Sequence, residues 1–127
     1  MRNKRMPQKN YIFCRLNADG SLDNTVGNNG FVTTDFTGGQ DGVNSIALLP
    51  DGKIIAAGFA ATSLVLNSRG IAHAMVRYNP NGSLDTSFGT GGKVHTDFGT
   101  GNRVISKILI QSDGKIIAFG TVLPFPQ

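Results

Sequence analysis

Hydrophobic and polar residues alternate over short segments of the chain, which is the pattern of half-buried β-strands. The segment Val32-Thr33-Thr34-Asp35-Phe36 places Val, Thr and Phe on one side and Thr33 with Asp35 on the other, and residues 94–98 repeat this pattern. Residues 43–49 carry Ile46 and Leu48 on one face. We therefore expect a chain built from β-strands.

Tight turns are predicted after two of these strands. Asp51-Gly52 and Asp113-Gly114 each precede a run of β-branched and small residues, 53–60 and 115–122 respectively. A glycine at this point supplies the positive φ that a tight hairpin requires. The second strand of each hairpin has the composition of a strand that is buried on both faces.

The chain also contains an internal repeat. Residues 11–60 align without a gap to residues 73–122 at an offset of 62, with 21 identities in 50 positions. We call these segments the first and the second repeat. A repeat of this length with four strands is typical of a propeller blade, which is stable only when neighbouring blades cover its faces.

The four strands of the repeat are predicted as A (43–49), B (53–60), C (72–79) and D (93–98). Strands C and D also occur at the N-terminus, and strands A and B also occur at the C-terminus. The predicted fold is all-β, with two four-stranded antiparallel propeller-type blades. One blade is whole, and the other is composed of the N-terminal C-D half and the C-terminal A-B half.

The loop between strands C and D is long, and it is repeated closely enough to indicate a corner of the scaffold. Leu22 with Val26, and Leu84 with Phe88, are expected to anchor it on the sheet. Its Asn and Asp oxygens at alternate positions could also hold calcium, but the spacing of a calcium hand and a bidentate Glu are missing. Together with the hairpins, the predicted structural turns contain Asn17, Asp19, Gly20, Asp23, Asp51, Gly52, Asn79, Asn81, Gly82, Asp85, Asp113 and Gly114.

The repeats differ most in the connection between strands B and C. Its apolar centre, Leu64, Val65 and Leu66, is followed by Arg69. If these residues are exposed, they form a partner contact, whereas they belong to the core if strand B continues through them. We therefore treat the segment as a candidate interaction loop.

Composition narrows the class of protein. Glycine accounts for 17 of the 127 residues and glutamate is absent, which disfavours a helical protein. The net charge of +4 comes from the first ten residues, which hold four basic residues and no acid. The remainder is neutral and carries no electrostatic signature of nucleic-acid binding.

We expect a basic disordered tail at 1–10, two repeats within 11–122 and a short tail at 123–127. The tail is read as solvated, with contact to phosphate or lipid headgroups as the alternative. No apolar stretch is long enough for a membrane span, and no signal for export follows the basic residues.

No residue pattern predicts a catalytic site, a metal site or a cofactor. Cys14 is the single cysteine and is expected to be a buried strand residue. His73 and His95 are not repeated as histidine. We expect both to lie in strands without a catalytic role. Asp35 and Asp97 are expected in the middle of strand D, accepting hydrogen bonds.

Three segments carry a family resemblance: residues 77–89 with the sequence RYNPNGSLDTSFG, residues 92–98, and residues 113–117. Through them the chain resembles the bacterial delta-60 repeat family over about residues 11–122. The resemblance implies a β-propeller-like module of large bacterial proteins that are commonly exported or attached to the cell surface. It brings no catalytic residues. The first repeat departs from the motif at Asn24-Thr25-Val26.

These observations predict a non-enzymatic structural or interaction module that is part of a larger array or ring. The order of the strands allows a head-to-tail ring, in which the A-B half of one chain completes the C-D half of the next. Alternatively, neighbouring blades of a longer chain could cover the open edges and faces. Two alternative functions stay open: a carbohydrate- or protein-binding propeller formed by several chains, and a propeller-type hydrolase or lyase, which would need converging carboxylates.

Overall fold

The computed structural model describes residues 10–36, 40–61, 71–96 and 102–123, which form β-strands and no helix. All strand pairs in this part of the chain are antiparallel. The predicted all-β class is thus confirmed, and no helix in these ranges could cross a membrane. The strands are β1 (Tyr11–Cys14), β2 (Phe31–Thr34), β3 (Asp41–Leu48), β4 (Ile54–Ala61), β5 (Ile71–Tyr78), β6 (Lys93–Thr96), β7 (Asn102–Ile110) and β8 (Ile116–Leu123).

The strands form three sheets among the described residues. Strands β3, β4, β5 and β6 form a four-stranded sheet in sequence order, while β1 pairs with β2 and β7 pairs with β8. The four-stranded sheet corresponds to the predicted strands A to D, and the two hairpins correspond to the terminal halves. Because the sheets contain two, four and two strands, the number of blades stays a prediction.

Both A-B hairpins contain the same irregularity. The register of β3 against β4 shifts between Val43 and Ser45, and that of β7 against β8 shifts between Ile105 and Lys107. These positions are separated by the offset of the sequence repeat. The two hairpins therefore share a β-bulge as well as a sequence pattern.

A glycine stands opposite each bulge because the backbones approach closely there. A Cβ atom on Gly58 would collide with the carbonyl oxygen of Gly42. A Cβ atom on Gly120 would collide in the same way with the carbonyl oxygen of Val104. The repeated glycines are thus required by packing against a neighbouring backbone.

The core lies on both faces of the four-stranded sheet. Successive residues of β4 point to opposite faces, as in any strand. Ile54 and Ala56 belong to the cluster formed with β1 and β2, whereas Ile55 and Ala57 belong to the cluster formed with β7. The β1-β2 and β7-β8 hairpins therefore cover opposite faces of this central sheet.

The two B strands differ in burial. Most of β4 is buried, as predicted, but most of β8 is exposed. The prediction of a strand buried on both faces is therefore wrong for β8. The physical reason is that, among the described residues, β8 pairs only with β7, no sheet lies beyond its outer face, and only Ile116 packs against the central sheet on its other face.

Candidate assembly interface

The turn that follows strand C has the same geometry in both repeats. The amide of Asn17 donates to the carbonyl of Ser21 at 2.7 Å, and the amide of Asn79 donates to the carbonyl of Ser83 at 2.8 Å. The residue between them, Asp19 or Asn81, accepts a hydrogen bond from the serine hydroxyl. Side chains that bond the backbone and hydroxyl two residues on stabilise a turn locally.

An ion pair closes the turn of the second repeat. The carboxylate of Asp85 accepts hydrogen bonds from Lys53 Nζ and Arg77 Nε, both at 2.8 Å. Its side chain is only 7% exposed. The hydrogen bond from Lys53, followed by that from Ser87, lowers the pKa of Asp85 far below its usual range.

The first repeat has the same arrangement with one partner fewer. Arg15 Nε donates to Asp23 at 2.9 Å, as Arg77 does to Asp85. Hydrogen bonds from Thr25, and then the one from Arg15, lower the pKa of Asp23. The repeat equivalent of Lys53 is Lys115, which stands at the far end of the chain. Its side chain is 79% exposed and lies 3.9 Å from Asp113.

The strands that carry these groups also differ in their pairing. Strand β4 pairs with β3 and β5, whereas its equivalent β8 pairs with β7 alone among the described residues. Likewise β5 pairs with β4 and β6, whereas its equivalent β1 pairs with β2 alone. By comparison with the central sheet, β8 and β1 each lack one partner in the described chain, and open edges are templates for pairing with another strand.

Apolar side chains are exposed on the outer face of β8. Ile117 is 43% exposed and Phe119 is 52% exposed, although their equivalents Ile55 and Ala57 are fully buried. Leu109 of β7 is exposed on the same side. We call Leu109, Ile117 and Phe119 the outer face of β8.

A second apolar surface lies on β3, beside the open edge of β1. Ile46 and Leu48 are exposed, whereas Ile108, the equivalent of Ile46, is buried against the central sheet. A groove of about 320 Å³ separates them from Phe13 of β1 and from Arg15, which follows that strand. We call Val43, Ile46 and Leu48 the outer face of β3.

The two predicted hairpin turns are present. Gly52 and Gly114 have φ values of 89° and 88°, the left-handed region that favours glycine. The amides of Lys53 and Lys115 each donate to the preceding Asp at 3.0 Å. The turns that the sequence analysis singled out are therefore formed by local hydrogen bonds.

Some predicted residues lie outside the described ranges. This applies to the candidate interaction loop with Leu64, Val65, Leu66 and Arg69, and to Asp97. It applies also to residues 1–9 of the N-terminal tail and 124–127 of the C-terminal tail. These predictions stay as they were stated.

Two expectations about single residues were wrong. Cys14 lies in a strand but is exposed, because the sheet that would cover its face of β1 is missing from the described chain. Asp35 follows β2 instead of lying within it. His73 lies in β5 and His95 lies in β6. Burial lowers the pKa of His73.

Three of the four predicted loop anchors are buried or pack against the core, and the fourth is exposed. Val26 is fully buried, and Leu84 and Phe88 pack against the core clusters. Leu22, the equivalent of Leu84, is exposed, so its role as an anchor is wrong for the described residues. Leu84 packs against the cluster that contains Tyr11 and Val32 of the first repeat, and Leu22 has no such neighbour among the described residues.

Sequence reasoning missed two features. The contact of Lys53 with Asp85 joins residues that are far apart in sequence, although both recur at the offset of 62. Asp41 is buried and accepts a hydrogen bond from the amide of Phe36 at 3.0 Å, while burial raises its pKa. No repeat signal points to Asp41, because Arg103 takes its place.

Within the described ranges, no group of three or more His, Cys, Asp or Glu side chains could hold a metal ion. The carboxylates of the C-D turns are instead hydrogen-bonded to neighbouring protein donors. The calcium reading of these turns receives no support from their geometry.

Residues 8–25 and 49–88 match a family model described as "Domain of unknown function (DUF5122) beta-propeller". The match supports membership of a β-propeller-like repeat family. The first matched segment contains β1 and the turn that follows it. The second runs from the β3-β4 turn through β4 and β5 to Phe88. Comparisons with curated proteins and with solved structures found no match. A propeller family of this kind suggests a structural or interaction module.

Proposed function

We propose that this chain is a non-enzymatic structural or interaction module made of delta-60-type propeller repeats. It has one whole blade and one blade divided between its two ends, and it works within a larger array or ring. The observation that carries the proposal is the contrast between equivalent strands, since β4 is covered on both faces and β8 is not.

Exposed apolar surface supports an assembly role. The outer faces of β8 and β3 together expose six large or β-branched apolar side chains: Val43, Ile46, Leu48, Leu109, Ile117 and Phe119. Contiguous apolar patches on a soluble protein mark interaction sites. Each of these residues occupies a position whose repeat equivalent is at least half covered within the chain.

The acidic residues support a scaffold role. Asp19, Asp23 and Asp85 each accept hydrogen bonds from turn residues two positions on. A hydrolase or lyase would instead need carboxylates directed into a shared cavity. The ion pairs of Asp23 and Asp85 hold the loop at the end of the sheet, which is a structural task.

Light scattering of the 127-residue chain over a range of micromolar concentrations tests the proposal. We expect a mass several times 13.4 kDa, because the exposed faces need cover. Three or four chains would supply six or eight sheets, within the roughly four to eight blades of known propellers. A variant with Phe119→Lys should shift the mass towards one chain, and Thr86→Lys at an exposed position of the second C-D turn is its control. A compact monomer of the unmodified chain would contradict the proposal.

A further inference from the structure

We infer that the partner of the open strand β8 is strand β1 of a second copy of this chain. Strands β7 and β8 of one copy and β1 and β2 of the next then form one four-stranded sheet. This inference rests on the proposed function, because it names the occupant of the open edges. It is carried by three independent comparisons with the central sheet.

The first comparison concerns register. In the β4-β5 ladder, Ala56 lies opposite Val76. Adding 62 to the first number and subtracting 62 from the second places Ala118 opposite Cys14 of the second copy. Strand β1 has four residues where β5 has eight, so the inferred ladder places Tyr11–Cys14 opposite residues 118–121.

The second comparison concerns charge. Lys53, which precedes β4, donates to Asp85 in the turn that follows β5. The same offset brings Lys115 of one copy to Asp23 of the next. Lys115 is highly exposed, and among the described residues Asp23 has one cationic partner where Asp85 has two. The paired sheet supplies the missing cation to Asp23 and a carboxylate to Lys115.

The third comparison concerns apolar cover. In the central sheet, the buried face of Ile55 and Ala57 is covered by Ile108 of β7. The equivalent surface on the next sheet is the outer face of β8. Its cover is then the outer face of β3 from the second copy, where Ile46 is the equivalent of Ile108. Both apolar surfaces become buried by one placement of the second copy.

A second copy of this chain fits better than an unrelated partner because the two half-sheets are complementary. The described chain has strands A and B without C and D at one end, and C and D without A and B at the other. Register, charge and apolar cover all follow from the same shift of one repeat. An unrelated strand would meet these three conditions only by coincidence.

A disulfide in the Ala118→Cys variant tests the register. Directly opposed residues of an antiparallel pair have Cα atoms about 4.5–5.5 Å apart, which lies within the range of roughly 4.4–6.8 Å found in disulfides. Each chain then carries two cysteines, and they lie on hairpins that cover opposite faces of the central sheet. Oxidation should link copies head to tail, giving covalent species larger than dimers on a non-reducing gel.

Two matched variants control this experiment. Ile117→Cys places the thiol on the opposite face of the same strand, and Cys14→Ser combined with Ala118→Cys leaves one cysteine per chain. Neither should give covalent species larger than dimers in comparable yield. If the chain is oligomeric but Ala118→Cys links no better than Ile117→Cys, the inferred pairing is wrong while the module proposal stands. If the chain is a compact and stably folded monomer, its exposed faces need no cover and the module proposal itself fails.

The charge contact has its own test. Lys115→Asp should weaken association by about tenfold or more, because hydrogen bonds between charged groups contribute on that scale. Lys115→Arg, which keeps a cation at the same position, is the control and should leave association nearly unchanged. Equal effects of the two changes, measured by sedimentation at fixed salt, would overturn the contact between Lys115 and Asp23.

Discussion

Strands β4 and β8 have nearly the same sequence at their beginning but lie in different surroundings. Ile-Ile-Ala starts both strands, and the same bulge and the same glycine follow. Strand β4 has a partner on each edge and a packed sheet on each face. Strand β8 has one partner among the described residues, and only its first residue, Ile116, packs against the central sheet.

This difference shows that the local sequence determines where a strand and its bulge form. The burial of the strand is determined by the sheets that pack beside it. The buried area of a side chain depends on what packs against it, and that is not encoded in its own repeat. Equivalent substitutions in β4 and β8 therefore separate the contribution of the strand from the contribution of its cover.

The largest contrast is expected between Ile55→Ala and Ile117→Ala. Ile55 is fully buried, and removal of its side chain should lower the free energy of unfolding by about 3 kcal/mol. Ile117 is 43% exposed, so the same change should cost about 1 kcal/mol or less in the dilute chain. Urea unfolding at low protein concentration measures both.

At concentrations where copies associate, the pair of variants gives a second readout. Ile117→Ala should then weaken association, since its side chain lies on the outer face of β8. Equal unfolding effects of the two variants in the dilute chain would mean that β8 is already as well packed as β4.

The next contrast concerns the glycine opposite each bulge. Gly58→Ala should cost about 2 kcal/mol, because the added methyl group collides with the backbone of Gly42 inside a packed sheet. Gly120→Ala creates the same collision with Val104, but β7-β8 is free to shift on its open side, so the loss should be smaller. Thermal unfolding of both variants measures the difference. A larger loss for Gly120→Ala would contradict this explanation.

The smallest contrast concerns acid stability. Hydrogen bonds lower the pKa of Asp85 in the folded chain, so its stabilisation is complete above the ordinary aspartate pKa of about 4. That stabilisation is lost as the pH falls towards the lowered folded-state pKa. Asp85→Asn should therefore flatten the acid side of the stability profile.

Asp23→Asn is the matched variant for this titration. Its effect should be weaker, because Asp23 has Arg15 but no lysine partner in the part of the chain that the structure describes. Association through the inferred contact with Lys115 would increase the effect of Asp23→Asn. Stability measured by denaturant between about pH 3 and pH 7 compares the two variants. Identical profiles would show that the lysine contact of Asp85 adds nothing.

Much of the fold could be predicted from the sequence, because alternation and turn residues are local signals. The hairpin glycines at 52 and 114 and the order of strands A to D came from these signals. The exposure of Cys14 and Leu22 could not be predicted, since it depends on a missing neighbouring sheet. The contact of Lys53 with Asp85 was also out of reach, because alternation within a strand does not say which loops meet across a sheet.

The boundaries of the sequence repeat do not coincide with the boundaries of the sheets. A repeat begins in strand C of one sheet and ends in strand B of the next, so the chain always crosses between sheets inside a repeat. Adding or removing whole 62-residue repeats would therefore leave each strand beside an equivalent neighbour. Recombination could thus lengthen or shorten such a protein by whole repeats without requiring a new strand interface.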